Sequence, residues 1–271
     1  MATTLTESQL KNILDETNTF FERFWENRSK SYKNIKLKDF KGNPFIINGL
    51  ATAFNEKSNT KSIAKALVYP RTLGTSINTS FGTTFQKFMV TTLKTNLSIT
   101  GSLASGMDIE YIDAIDGRKK YCQIKSGPQT INKDDITTIS NHFIKLKNYA
   151  KTNSVQIDNT DTIVAILYGE HSEISSMYKS LENKGYTVLS GEEFWKRLTG
   201  KDGFYEKMVQ IAQIAAKNTE LKQSIEQAID TVDTGIKNNP QMFGIDYPEK
   251  GLEHARKLNF FKNSTRGSNL I

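Results

Sequence analysis

The run TIVAILYG at 162–169 carries no charged side chain and is apolar at almost every position. A strand with water on one face alternates between apolar and polar residues. A nearly continuous apolar run is stable as a strand only inside a sheet that is covered on both faces. That requirement points to an α/β core, in which helices before and after the strand supply the cover. The neighbouring sequence fits this layout. MDIEYIDAI (107–115) reads as a strand, Asp116-Gly117 as a hairpin turn, and residues 119–126 as a return strand ended by Gly127-Pro128. From Asn132 to Tyr149, Ile136, Ile139, Phe143, Leu146 and either Tyr149 or Ala150 recur at helical spacing. A helix over 175–184, a short strand over 187–191 and a compact helical turn over 191–200 follow.

The flanks are helical in pattern. Over 4–31, Leu10, Ile13, Leu14, Thr17, Phe20, Phe21, Phe24 and Trp25 fall near one stripe behind a cap at Thr4 or Thr6. Residues 32–60 are less periodic, and 43–47 reads as an ordered crossing rather than a regular element. Tyr69-Pro70-Arg71 opens a new section, with Phe81, Phe85, Phe88, Met89 and Leu93 facing inward from a helix. Gly101 and Gly106 mark a bend where backbone can approach a ligand closely. Residues 204–236 read as helical, closed by Asn238, Asn239 and Pro240, and a basic, polar tail or strap follows. The sequence therefore predicts an α/β core with a mixed central sheet over 75–200. A mainly helical region over 1–74 precedes it and another over 201–271 follows.

Composition narrows the chemistry. Thirty-six basic and 29 acidic residues leave a net charge of +7, which suits a polyanionic partner. One cysteine and three histidines cannot build a disulfide framework or a zinc-finger centre. A divalent metal would have to be held by oxygen, which favours Mg2+. Neither a GxxxxGK[ST] phosphate loop nor a GxGxxG fingerprint occurs. No long apolar run or signal pattern is present, so the reading is a soluble cytoplasmic protein.

Within the predicted hairpin, residues two apart share a face. Asp108 and Glu110 project together from one strand, and Gln123 and Lys125 from the next. A register that sets Asp108 near Lys125 gathers two carboxylates, an amide and an ammonium. Such a group suits phosphodiester hydrolysis: carboxylates can hold a cation that neutralises the phosphate, and a lysine can orient water and counter developing charge. The same alternation is also what a half-solvated hairpin shows, with acid–lysine pairs across its strands.

Asp108 followed by Gln123-Ile124-Lys125 resembles the signature of the PD-(D/E)xK nucleases. GMDIE and QIKSGPQTINKDD resemble type II restriction endonucleases, in particular homodimers that cut GGNCC-type palindromes. INTSFGTTF, YGEH and GEEFW are further landmarks of that likeness, which covers roughly 75–200. The resemblance implies a restriction-endonuclease-like core, with Asp108 as the metal-binding aspartate and Lys125 as the motif lysine. Gln123 stands where the second acid is usual, and Met107 replaces the proline. An amide can bind a metal without adding charge, so Glu110 is a candidate to supply the missing one.

Around this centre, Asn132 is placed to cap the following helix or to meet a phosphate, with Lys133 beside it. His171 in YGEH lies at a strand end, near the nucleic acid or active site in the family context. Arg71, Lys87 and Lys94 are candidates for a basic DNA-facing surface, while strand parity turns Asp113 away to a structural role. The function expected is a Mg2+-dependent type II restriction endonuclease acting on double-stranded DNA. It would act as a homodimer beside a cognate DNA methyltransferase. The rivals are a structure-selective repair or junction nuclease, a DNA-binding module whose catalytic centre has decayed, and an interaction protein whose hairpin is merely charged.

Overall fold

The computed structural model describes residues 5–55, 59–97, 99–101 and 105–239. Five strands form one sheet in the order β1-β2-β3-β4-β5: Thr100–Gly101, Ile109–Ile112, Lys119–Lys125, Thr162–Ile166 and Thr187–Ser190. The first three pair antiparallel, whereas β3-β4 and β4-β5 are parallel, so the sheet is mixed. The helices are α1 (Glu7–Lys33), α2 (Pro44–Asn55), α3 (Thr60–Leu73), α4 (Thr75–Phe88), α5 (Lys94–Leu97), α6 (Lys133–Thr152), α7 (Ser176–Asn183), α8 (Gly191–Thr199), α9 (Phe204–Lys217) and α10 (Leu221–Asn238). A π-helical turn, Met89–Leu93, joins α4 to α5.

These elements group into two units. Among the described residues, one comprises 5–24 and 78–218 and the other 25–77 and 219–239.

In the first unit every residue of β4 is buried, as its unbroken apolar run requires. Val164, Ile166 and Val188 on one face meet Ile136, Ile139, Phe143 and Leu146 of α6 and Tyr178 and Leu181 of α7. Ala150 completes the stripe of α6, while Tyr149 is 71% exposed. On the opposite face Tyr111 packs edge-on to Phe194, and Trp195 to Phe85. Phe20 stacks on Phe88 with ring centroids 4.6 Å apart, which identifies the aromatic stripe of α1 as packing surface. Thr6 caps α1: its Oγ1 accepts the Gln9 amide while Gln9 Oε1 accepts the Thr6 amide.

Strand β2 is shorter than the sequence pattern suggests. It ends at Ile112, and the buried Asp113 carboxylate beyond it takes Arg197 at 2.7 Å and the Ile115 amide at 2.8 Å. The turn to β3 is correspondingly longer than two residues, with Gly117 at φ +69° donating to the Asp113 carbonyl. Lys120, 1% exposed, points away from Lys125 and is neutralised by Asp116 at 2.7 Å and Asp161 at 3.1 Å.

The second unit is helical. Tyr32, Leu37, Phe40, Ile63, Leu67, Val68, Ile229, Val232 and Ile236 form its core, and Lys33 pairs with Glu220 at 2.5 Å. Three expectations are corrected here. The 43–47 stretch is the start of α2: Pro44 takes the first helical position, where its missing N–H costs nothing, and Asn43 Oδ1 accepts the Phe45 amide. Phe45 and Ile46 are exposed, so the start lacked a buried periodic stripe. Pro70 lies inside α3 rather than opening a section. It sits in the last turn, and the Tyr32 hydroxyl holds the Thr72 carbonyl at 2.7 Å. The long helix read over 204–236 is broken at 218–220 into α9 and α10. Pro240 and the basic tail lie outside the described residues, as do Thr4 and residues 102–104 of the glycine-flanked bend.

Candidate active site

The β2-β3 register pairs Ile109 with Cys122 and Glu110 with Tyr121. Asp108 lies just before β2, its amide donating to the Cys122 carbonyl at 2.9 Å. Glu110, Gln123 and Lys125 share one sheet face, as alternation predicts, and Asp108 reaches β3 through its carboxylate. Their partners divide them.

Asp108 Oδ2 accepts the Ile124 amide at 2.6 Å, and Gln86 of α4 also donates to the carboxylate. Burial lifts this carboxyl above the ordinary aspartate range, opposed by those two hydrogen bonds and by the charge of Lys125. Gln123 is 5% exposed, with Nε2 lying 2.9 Å from His142 Nδ1 on α6. Lys125 ends β3, its carbonyl accepting the Leu167 amide at 3.1 Å and its Nζ lying 3.3 Å from Asp135 Oδ1. Asp135 Oδ2 in turn accepts the Asn132 amide at 2.9 Å. Asn132 caps α6 through Asp134 and Asp135 amides at 2.8 and 3.1 Å, so the capping box also fixes the acid that faces Lys125.

Glu110 is drawn elsewhere. Its Oε2 pairs with Lys119 Nζ at 2.5 Å, and it lines a groove with Tyr121, Lys145 and Tyr149. The remaining candidates make other contacts. Arg71, in the other unit, donates to the Asp39 carbonyl at 2.9 Å and lies over Phe40. His171 is exposed and pairs with Glu182 at 3.2 Å. Lys87, Lys94 and Lys133 are exposed on α4, α5 and α6. Gln86, Asp135 and His142 join the site unforeseen. Only Asp135 carried a readable signal, the N-x-x-D capping pattern.

Among the described residues, no three His, Cys, Asp or Glu side chains come together in a way that could hold a metal ion. The donors present are one carboxylate and one amide oxygen. Mg2+ is often bound by one or two protein oxygens, with water and substrate phosphate completing its octahedron, so this pair fits that ion. With metal chelated, Asp108→Asn is expected to raise the melting temperature at neutral pH. A folded-state pKa above the unfolded value means that the ionised carboxylate costs stability above the folded pKa. The gain should shrink as pH falls through that value and the carboxyl becomes neutral; calorimetry across pH checks this.

A mixed sheet covered by helices on both faces, with this polar group at the β2-β3 edge of its parallel half, defines a restriction-endonuclease-like fold. Residues 9–220 match the family described as Type II restriction endonuclease EcoO109I, and the chain belongs to that family. It is therefore a nuclease of the restriction–modification type. No individual curated protein matches the chain. No helix among the described residues is long and apolar enough to cross a membrane.

Proposed function

We propose that the chain is a Mg2+-dependent endonuclease of the PD-(D/E)xK kind that cuts both strands of duplex DNA at a short palindrome, as a homodimer. What supports this reading is that the Asp108 carboxylate accepts the Ile124 amide, between Gln123 and Lys125 on β3, within a chain of restriction-endonuclease family. Asp108 and the Gln123 amide oxygen hold the cation. Bound Mg2+ supplies charge neutralisation at the phosphate and acidifies a coordinated water. Lys125 exchanges its 3.3 Å contact with Asp135 for the attacking water and the scissile phosphate, countering charge as it develops. Water adds to phosphorus in line, the P–O3′ bond breaks, and a 5′-phosphate and a 3′-hydroxyl remain. Two copies related by a twofold axis would meet the two strands of a palindrome equivalently. The net charge of +7 suits the polyanion, a cytoplasmic location suits the task, and a cognate methyltransferase would protect host sites.

One observation favours a second reading. Gln123 in place of an acid leaves a single carboxylate among the metal donors, as in a binding module that has lost catalysis. Digestion of unmethylated plasmid DNA with Mg2+, followed by sequencing of the fragment ends, separates the two. Discrete 5′-phosphate ends at one palindrome, abolished by Asp108→Asn, are expected. DNA binding without cleavage in Mg2+ or Mn2+ would select the decayed module, and cleavage confined to branched substrates a junction nuclease.

A further inference from the structure

Replacing a second acid by Gln123 creates a problem of orientation that a carboxylate does not have. Both oxygens of a carboxylate can bind a cation. A primary amide offers an oxygen on one side and an NH2 group on the other, and the NH2 group presents only hydrogens. A half-turn of the amide would aim those hydrogens at the cation and abolish the ligand. Something must therefore fix the amide.

We infer that His142 is that positioning residue: its Nδ1 accepts Gln123 Nε2–H and so delivers Gln123 Oε1 to the divalent cation. The inference rests on the nuclease reading above. At 2.9 Å the two nitrogens are hydrogen-bonded, and because the amide nitrogen can only donate, the ring nitrogen must accept. The imidazole proton then resides on Nε2, and the amide oxygen is left as the coordinating atom. The ring itself is wedged. Gly106, at φ +87°, lies so close that a Cβ there would fall 2.3 Å from His142 Cγ and 2.4 Å from Nδ1. Glycine at 106 thus makes room for the imidazole and confines it. Gln123 is 5% exposed, which keeps bulk water from competing for the amide. Ligand-orienting partners of this kind commonly set metal affinity.

The test is Mn2+ binding to the full-length protein, followed by the paramagnetic resonance signal of the free ion, with melting curves confirming that each variant is folded. His142→Leu should weaken Mn2+ binding about tenfold with Gln at 123, but less than about twofold in the Gln123→Glu background, where either oxygen serves. His142→Asn, whose Oδ1 can accept near the position of Nδ1, should stay close to the native affinity. Gly106→Ala displaces the ring without removing it, and should show the same dependence on residue 123 should His142→Leu not fold. Equal losses with Gln and Glu at 123, or no loss in any His142 or Gly106 variant, would overturn the role assigned to His142. Asp108→Asn is the control for the underlying reading. If Mn2+ binding survives that change, the metal site itself is misplaced and the role of His142 goes with it. If Asp108→Asn removes binding, a failure of the His142 pattern counts against the positioning role alone.

Discussion

Lys125→Ala is expected to slow single-turnover cleavage by about 10²–10⁴-fold while leaving DNA affinity in Ca2+ within a few-fold. The separation follows from where Lys125 sits. Its backbone is fixed by the Leu167 amide at 3.1 Å and by pairing of β3 with β4, neither of which involves the side chain. The side chain is 26% exposed and meets Asp135 at 3.3 Å, a weak contact that truncation gives up cheaply. In the proposed role, truncation removes the cation opposite the developing phosphate charge, felt in the transition state far more than in the bound complex. Duplex binding, by contrast, draws on many phosphate contacts, of which one lysine is a small share. Quench-flow on a cognate duplex and fluorescence anisotropy in Ca2+ measure the two quantities on the same protein. A variant that loses both in proportion would assign Lys125 to binding.

Trp195→Ala should destabilise the first unit by about 3–5 kcal/mol. Trp195 is fully buried, with its ring 5.9 Å from Phe85, 5.1 Å from Phe194 and 5.6 Å from Phe204, so truncation opens a cavity lined by rings that cannot all collapse inward. Its Nε1–H also donates to the Leu167 carbonyl at 3.0 Å. Trp195→Phe keeps most of the packing and leaves that carbonyl unpaired, for a smaller loss of about 1–3 kcal/mol. Leu167 also donates its amide to the Lys125 carbonyl, so Trp195 supports the end of β3 from the far side of the sheet. Denaturant unfolding of the three proteins should rank them wild type, Phe, Ala. A loss below about 1 kcal/mol for Ala would show that the site relaxes around the cavity.

Much of the core was legible because its signals are local. An apolar run without charge has one stable place in a sheet, and β4 occupies it. Strand parity set Gln123 and Lys125 on one face without any knowledge of partners, and it turned Asp113 away to a buried ion pair with Arg197. The stripe of α6 emerged from spacing alone, although spacing could not choose between Tyr149 and Ala150. The other failures share a cause. α2 buries too little at its start to show a period, and Pro70 is tolerated by the turn position it happens to occupy. Gln86, Asp135 and His142 reach the site from helices whose slide along the sheet is set by tertiary packing; His142 is 19 residues from the amide it holds. Glu110 was read onto the correct face, but parity says nothing of Lys119, which claims its carboxylate at 2.5 Å.

The central claim is that Asp108 and Gln123 together hold a divalent cation beside Lys125. Anomalous diffraction from crystals grown with Mn2+ and a cleavable duplex addresses it directly. The expected result is a peak about 2.1 Å from an Asp108 carboxylate oxygen and from Gln123 Oε1, with the scissile phosphate in its coordination sphere. A peak ligated instead by Glu110, or one that never touches residue 108 in protein that still cuts DNA, would contradict the account.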